Sequence, residues 1–211
     1  MKTSHLIDLL ATEAGPAPRA LPARRIGAVV PFGWLASIAA TLVLLGPIPA
    51  SLWAEPAPWI KLAYAGGLAS GALWLTTRLA RPVARTGGPV ISIVAVVILM
   101  ALLGLTTLLA APASERLAAL LGHSWAHCPV NVLLLSLPTL AGALWALRGL
   151  APTQARAAGL AAGLLAGAVG AMAYALSCIE LSAAFVALWY SLGIALAGGL
   201  GALMGPWLLR W

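Results

Sequence analysis

The sequence predicts an all-α membrane protein, a six-transmembrane-helix bundle with both termini in the cytoplasm (N-in/C-in). Three observations predict it. Of the 211 residues, 62% are apolar and 8% are charged, whereas a soluble domain carries about 25% charged residues. The apolar residues fall into six long runs. The basic residues collect in every second connection between those runs.

Each apolar run is long enough for one helical span, because about 20 apolar residues cross a hydrocarbon layer roughly 30 Å thick. Within hydrocarbon the backbone must satisfy its own hydrogen bonds, which favours helices, and no run alternates as a barrel strand does. Pro, Gly or a charge bounds each run. We predict spans at about 26–48, 59–77, 89–111, 128–147, 157–177 and 183–209, which together form a membrane domain at 26–211.

The topology follows from the distribution of Lys and Arg. Ten of the twelve lie before the first span, in the second-third and fourth-fifth connections, or at the C-terminus, and only Lys61 and Arg116 lie on the other side. Cytoplasmic connections of membrane proteins are enriched in basic residues, so both termini are predicted to be cytoplasmic. The net charge of +7 is then explained by topology. No basic stripe interleaved with aromatics indicates direct nucleic-acid binding.

Small residues predict where helices pack closely. Gly159, Gly163 and Gly167 repeat every four residues in the fifth span, and Gly201 and Gly205 do so in the sixth. Such faces allow close approach, either within the bundle or between two copies of the chain. Pro138 lies inside the fourth span and is expected to kink it, because its ring removes a backbone hydrogen bond.

Residues 1–25 form the one soluble segment of appreciable size. Leu6, Leu9 and Leu10 share one helical face, Ser4 is a candidate N-cap, and Asp8 lies near the positive end of the helix dipole. Residues 15–22 contain three prolines among alanines and are typical of an extended tether. The segment does not resemble a secretory signal, since acidic residues interrupt a short apolar stretch.

The two cysteines are predicted to lie at the same depth. Cys128 begins the fourth span on the outer side, and Cys178 follows the fifth span on that side. Adjacent antiparallel helices pack 8 to 10 Å apart, so facing cysteines there are able to approach disulfide distance. His123, His127 and Glu180 lie nearby in sequence and are candidate ligands or supporting residues for a soft metal. Simpler interpretations stay open: apolar filling for the thiols, solvated histidines, and a polar helix stop for Glu180.

Catalytic motifs are absent from the sequence. There is no GxSxG, P-loop or HExxH, and no intramembrane carboxylate pair. We therefore predict no enzyme activity and no cofactor other than transient heavy-metal binding. Two alternatives remain. A membrane thiol-disulfide oxidoreductase generally needs a second cysteine pair, and a small transporter needs polar groups inside the membrane.

The chain resembles, along its whole length, the six-helix bacterial membrane anti-sigma factors of the NrsF type, which are negative regulators of extracytoplasmic-function sigma factors. The most specific segment is Tyr174-Ala175-Leu176-Ser177-Cys178-Ile179-Glu180, followed by Trp189-Tyr190. Further segments that carry the resemblance are Met1-Lys2-Thr3 with Leu6-Ile7, Pro56 to Lys61, Arg78 to Pro82, Cys128 with Ser136-Leu137-Pro138, Leu147 to Pro152, Phe185 and Arg210-Trp211.

The resemblance implies a multi-pass protein of the bacterial inner membrane whose partners are an extracytoplasmic-function sigma factor and the lipid bilayer. It implies that the N-terminal segment holds the sigma factor, and that Cys128 and Cys178 sense oxidants or heavy metals from outside. Within that segment, amphipathicity favours Leu6, Ile7, Leu9 and Leu10 as the sigma-binding residues, in the manner of a helix in a groove.

Overall fold

The computed structural model describes residues 21–81, 85–150 and 152–210, together with Thr3. The described residues form helices and contain no strand, which confirms the all-α prediction. The elements are α1 (Leu21–Leu44), α2 (Pro56–Leu79), α3 (Gly87–Ala110), α4 (Arg116–Leu121), α5 (Cys128–Arg148), α6 (Ala155–Tyr174) and α7 (Ala183–Leu208), with a 3-10 turn at Ala50–Ala54.

Five of these helices, among the described residues, are long and apolar enough to cross a membrane: α1 from Pro22, α3, α5, α6 and α7. The second predicted span corresponds to α2, which has 24 residues but is not among the five. Lys61, Arg78 and several Gly, Ser and Thr residues lower the average hydropathy of α2. Length and composition therefore support five spans, and they do not by themselves support α2 as a further one.

The predicted boundaries differ from the helices by a few residues. The first predicted span is 26–48, whereas α1 begins at Leu21 and ends at Leu44. Gly46 has a φ of +75°, and two prolines follow it, so the apolar run continues past the point at which helical geometry stops. The α4 helix between the third and fourth spans was not predicted, because six residues carry little periodic signal.

The α6 helix lies at the centre of the bundle. In its apolar stretch 78% of the residues are buried, compared with 11% in α3, so α6 is surrounded by other helices and α3 is peripheral. Gly163 of α6 faces α7 so closely that a methyl group there would lie 2.8 Å from the Cα of Gly198. The glycine face predicted from sequence is thus used inside the bundle, where it brings two backbones together.

The α1 helix packs on α5 beside Pro138. The hydroxyl of Ser37 donates a hydrogen bond of 2.7 Å to the carbonyl of Leu135, on the turn that contains the proline. A methyl group at Gly33 would lie 2.8 Å from the Cα of Thr139, so these helices also approach closely. Pro138 lies inside α5 as predicted, and the kink itself stays a prediction.

The helices alternate in direction, which gives the bundle two chemically different ends. We call the first the cysteine end; it contains Cys128, Cys178 and the described carboxylates Glu55, Glu115 and Glu180. There the amide of Ile48 donates to the carbonyl of Leu176, 2.9 Å away. We call the other the arginine end. It contains the described residues Arg24, Arg25, Arg78, Arg81, Arg85, Arg148, Arg156 and Arg210.

Candidate functional site

The two cysteines lie in the same cluster of buried side chains at the cysteine end. Cys128 is the first residue of α5, and Cys178 lies four residues beyond the end of α6. Their exposed fractions are 0% and 4%, and both thiols are free. The structure thus brings the predicted pair together, but below the surface. A reagent in solution must enter the packed cluster to reach either sulfur.

Lys61 of α2 reaches into the same region, and its side chain is fully buried. Its Nζ donates a hydrogen bond of 2.6 Å to the backbone carbonyl of Cys178. Within the described residues no carboxylate forms an ion pair with it. A buried ammonium is costly unless it is hydrogen-bonded. This contact therefore constrains both α2 and the segment that carries Cys178, residues 175–182 between α6 and α7. In the sequence Lys61 is simply one of the two basic residues on the predicted outer side, and no pattern there predicts its buried contact.

Glu180 organises the loop that precedes Cys128. Its Oε1 accepts hydrogen bonds from the backbone amides of His123, at 2.7 Å, and Ser124, at 2.9 Å, and from the Ser124 hydroxyl at 3.1 Å. The residue is 7% exposed. Three donors on one carboxylate oxygen satisfy its buried charge. Glu180 is therefore a structural anchor that joins the Cys178 segment to the start of α5.

Gly122 makes that anchor possible. Its φ of +57° and ψ of −165° suit glycine, and a Cβ there would lie 2.6 Å from Oε2 of Glu180 and 2.8 Å from Cδ2 of Phe185. Nothing larger fits between the turn and the carboxylate. No sequence pattern pointed to this residue in advance, although a glycine directly after a short helix is a typical C-terminal signal.

The histidines are placed differently from the thiols. Both His123 and His127 are exposed, while the cysteines are buried. In the part of the chain that the structure describes, no group of three or more His, Cys, Asp and Glu side chains is placed to hold a metal ion. The carboxylate of Glu180 is occupied by loop amides, as described above.

Two tyrosines line the thiol cluster. The rings of Tyr174 and Tyr190 are 5.8 Å apart between centroids, and both side chains are buried. The Tyr190 hydroxyl lies near the Cys178 side chain but makes no hydrogen bond among the described residues. Tyr190 ends a π-helical turn, Val186–Tyr190, at the start of α7. Such turns are rare and frequently mark functional positions, and no sequence signal predicted this one.

The predicted sigma-binding residues Leu6, Ile7, Leu9 and Leu10 lie outside the described residues. The predicted division between residues 1–25 and the bundle also falls partly outside them. The structure therefore bears on the thiols, their surroundings and the helices, and the role of the N-terminal segment stays a prediction.

The described residues form a helical protein whose five long apolar helices are compatible with a multi-pass membrane protein. Lys61 and Glu180 hold helix ends together beside two buried thiols. Two relatives match the chain over its full length and theirs. One is the "Probable anti-sigma-F factor NrsF" of Azospira oryzae, 38% identical over 216 residues, and the other is the "Anti-sigma-F factor NrsF" of Caulobacter vibrioides, 40% identical over 218 residues. No solved structure matches the chain.

The family model described as "Negative regulator of sigma F" matches residues 10–211. The chain therefore belongs to this family, NrsF. Its relatives are regulatory proteins, and so the chain is a regulator rather than an enzyme. This confirms the family identified by resemblance from the sequence and rules out the oxidoreductase alternative.

Proposed function

We propose that the chain is an anti-sigma factor of the bacterial inner membrane that holds an extracytoplasmic-function sigma factor through its N-terminal segment. Release follows when Cys128 and Cys178 react with an oxidant or a heavy metal. The full-length relatives named anti-sigma-F factors support the sequestering activity. The observation that supports the sensing mechanism is that two free thiols share one cluster, in which the segment that carries Cys178 is tied by hydrogen bonds to α2 and to the loop before α5.

The proposed topology has six spans, with the arginine end in the cytoplasm. At about 1.5 Å per residue, the 24 residues of α2 reach about 36 Å, enough to cross the hydrocarbon layer. Lys61, which lowers its hydropathy, is fully buried against the Cys178 carbonyl and is therefore hidden from lipid. The eight described arginines at one end favour the cytoplasmic side for that end.

The chemical step at the thiols is either a two-electron oxidation or the binding of a metal ion. In the first, the two sulfurs form one S–S bond, both thiol protons are released, and the oxidant takes the two electrons. In the second, the two thiols lose their protons and bind a soft cation such as cadmium as thiolates, so two protons are released for each cation bound. Because no larger ligand group is placed there among the described residues, the metal reaction depends on the two sulfurs.

The reaction is transmitted through the contacts of the Cys178 segment. Moving this segment disturbs the Lys61 hydrogen bond to α2 and the Glu180 anchor to the loop before α5. To shift sigma binding from 99:1 to 1:99 requires about 5.5 kcal/mol of differential free energy. A disulfide or a thiolate-metal bond is a local event of that order.

The test replaces Cys128 and Cys178 singly with serine and follows sigma-dependent transcription in cells exposed to chromate or cadmium. We expect both variants to lose the induction and to keep basal repression. Met100→Leu is the matched control, because Met100 is a buried sulfur residue of the same cluster but has no thiol. Full induction in both serine variants would reject sensing by the thiols.

Sequestration is tested separately by deleting residues 1–25. We expect the deletion to raise sigma-dependent transcription without any inducer, and the full-length protein to co-purify with its sigma factor. A deletion variant that reaches the membrane at the normal level and still represses would reject binding through this segment. That result would leave the thiol experiment unaffected.

A further inference from the structure

A groove of approximately 1040 Å³ runs between α1 and α5 at the arginine end. Arg24, Arg25 and Arg148 lie at its polar end. All three side chains are exposed. Arg25 donates a hydrogen bond of 3.3 Å from Nη1 to the carbonyl of Gly149, which connects the start of α1 to the end of α5. The groove thus begins at a cluster of three guanidinium groups.

The rest of the groove is apolar and extends toward the middle of the two helices. From Arg24 to Ala36 it follows α1 for twelve residues, which is about 18 Å at the helical rise. Its wall includes Val29, Phe32, Pro138, Gly142 and Trp145. Phe32 and Trp145 are 74% and 77% exposed, so two aromatic side chains beside the groove are not covered by other residues that the structure describes.

The charges of the groove are not balanced within the described part of the chain. No carboxylate lines it. The described acidic residues Glu55, Glu115 and Glu180 all belong to the opposite, cysteine end. A guanidinium group matches the geometry of a phosphate and binds it with two parallel hydrogen bonds. The polar end therefore suits a phosphate group.

We propose that this groove binds one anionic phospholipid, with its headgroup phosphate on Arg24, Arg25 and Arg148 and an acyl chain along the apolar wall. The proposal goes beyond the proposed function and rests on its membrane location. A soluble acidic partner would satisfy the arginines but would not extend about 18 Å along two membrane-spanning helices. Basic pockets between transmembrane helices on the cytoplasmic side are typical sites for acidic headgroups.

The experiment titrates the full-length protein, purified in detergent, with phosphatidylglycerol and counts bound lipids by native mass spectrometry. Phosphatidylcholine with the same acyl chains is the headgroup control. We expect one phosphatidylglycerol to bind about tenfold or more tightly than phosphatidylcholine, and the variant R24Q/R25Q/R148Q to lose at least about tenfold of that affinity. The measurement does not depend on orientation or on sigma binding, so it can fail while the proposed function stands.

The matched control is R85Q/R156Q/R210Q, which removes the same charge from the same end but touches none of the groove. We expect it to keep the wild-type affinity. A second variant, R24Q/R148Q, retains the Arg25 contact with Gly149. A loss of lipid binding in this variant is therefore not caused by the loss of that contact between α1 and α5. Equal loss in the control and groove variants, equal binding of phosphatidylcholine, or equally tight binding of inorganic phosphate would each overturn the proposal.

Discussion

The ammonium of Lys61 and the backbone carbonyl of Cys178 lie 2.6 Å apart, in a hydrogen bond that joins α2 to the segment between α6 and α7. Two residues further along, Glu180 joins the same segment to the loop before Cys128. The stretch 178–180 is therefore fixed at both of its ends. Any reaction that displaces this cysteine must act on α2 and on the start of α5 together.

The first prediction concerns the reactivity of the thiols in the Lys61→Met variant. Both thiols are buried, and Lys61 holds the segment that carries Cys178 through its hydrogen bond to the Cys178 carbonyl, so a reagent reaches the thiols only when this segment opens. Removing the hydrogen bond should make opening easier and speed alkylation of Cys128 and Cys178 by iodoacetamide at least about threefold. Methionine has a similar volume, and the unpaired Cys178 carbonyl should lower the free energy of unfolding by about 1–3 kcal/mol. The measurement is the alkylation rate by mass spectrometry.

The control for that prediction is Lys61→Arg, which retains a charged hydrogen-bond donor at this position. We expect its alkylation rate to stay close to the wild-type rate if the variant folds, which thermal unfolding checks. An unchanged rate in Lys61→Met would show that the Lys61 hydrogen bond does not limit access to the thiols.

The second prediction concerns Glu180. In Glu180→Ala the amides of His123 and Ser124 lose their acceptor, which should lower the free energy of unfolding by about 1–3 kcal/mol. Glu180→Gln retains an acceptor oxygen and should recover most of the loss. The measurements are thermal unfolding and hydrogen exchange of residues 122–127. If glutamine and alanine are equally destabilising, the charge matters more than the acceptor geometry.

The long apolar helices were predictable from the sequence because an uncharged run in hydrocarbon must satisfy its own backbone hydrogen bonds and is therefore helical. The α5 helix begins at Cys128 as predicted and ends within one residue of the expected position. Burial at the cysteine end was not predictable in the same way. Lys61 and Glu180 are polar residues near the edges of spans, and only the three-dimensional structure shows which carbonyl and which amides satisfy them.

The third prediction separates backbone strain from packing at Gly122. Gly122→Ala imposes an unfavourable positive φ and also places a methyl group 2.6 Å from Oε2 of Glu180. Gly46 is the matched control, since it also has a positive φ but nothing lies within 4 Å of its Cβ position. Gly46→Ala should cost about 1 kcal/mol and Gly122→Ala about 2–3 kcal/mol or more, as measured by thermal unfolding. Equal losses would contradict the packing argument.

The fourth prediction tests whether α6 and α7 are held together by direct backbone contact. A methyl group at Gly201 would lie 3.0 Å from the Cα of Gly163, and the carbonyl of Gly159 is closer still. Because these neighbours are backbone atoms, they can retreat only if the helices separate. Gly201→Ala should therefore lower the free energy of unfolding in detergent by about 1–3 kcal/mol.

Gly199 supplies the matched control two residues away on the same helix. Open space surrounds its Cβ position, so Gly199→Ala adds a methyl group without a clash. Because alanine favours a helix over glycine by about 1 kcal/mol, this variant should be unchanged or slightly more stable. Both variants gain the same helix propensity, so the difference in their unfolding midpoints isolates the contact between the helices. If the midpoints coincide, α6 and α7 do not depend on glycine at that position.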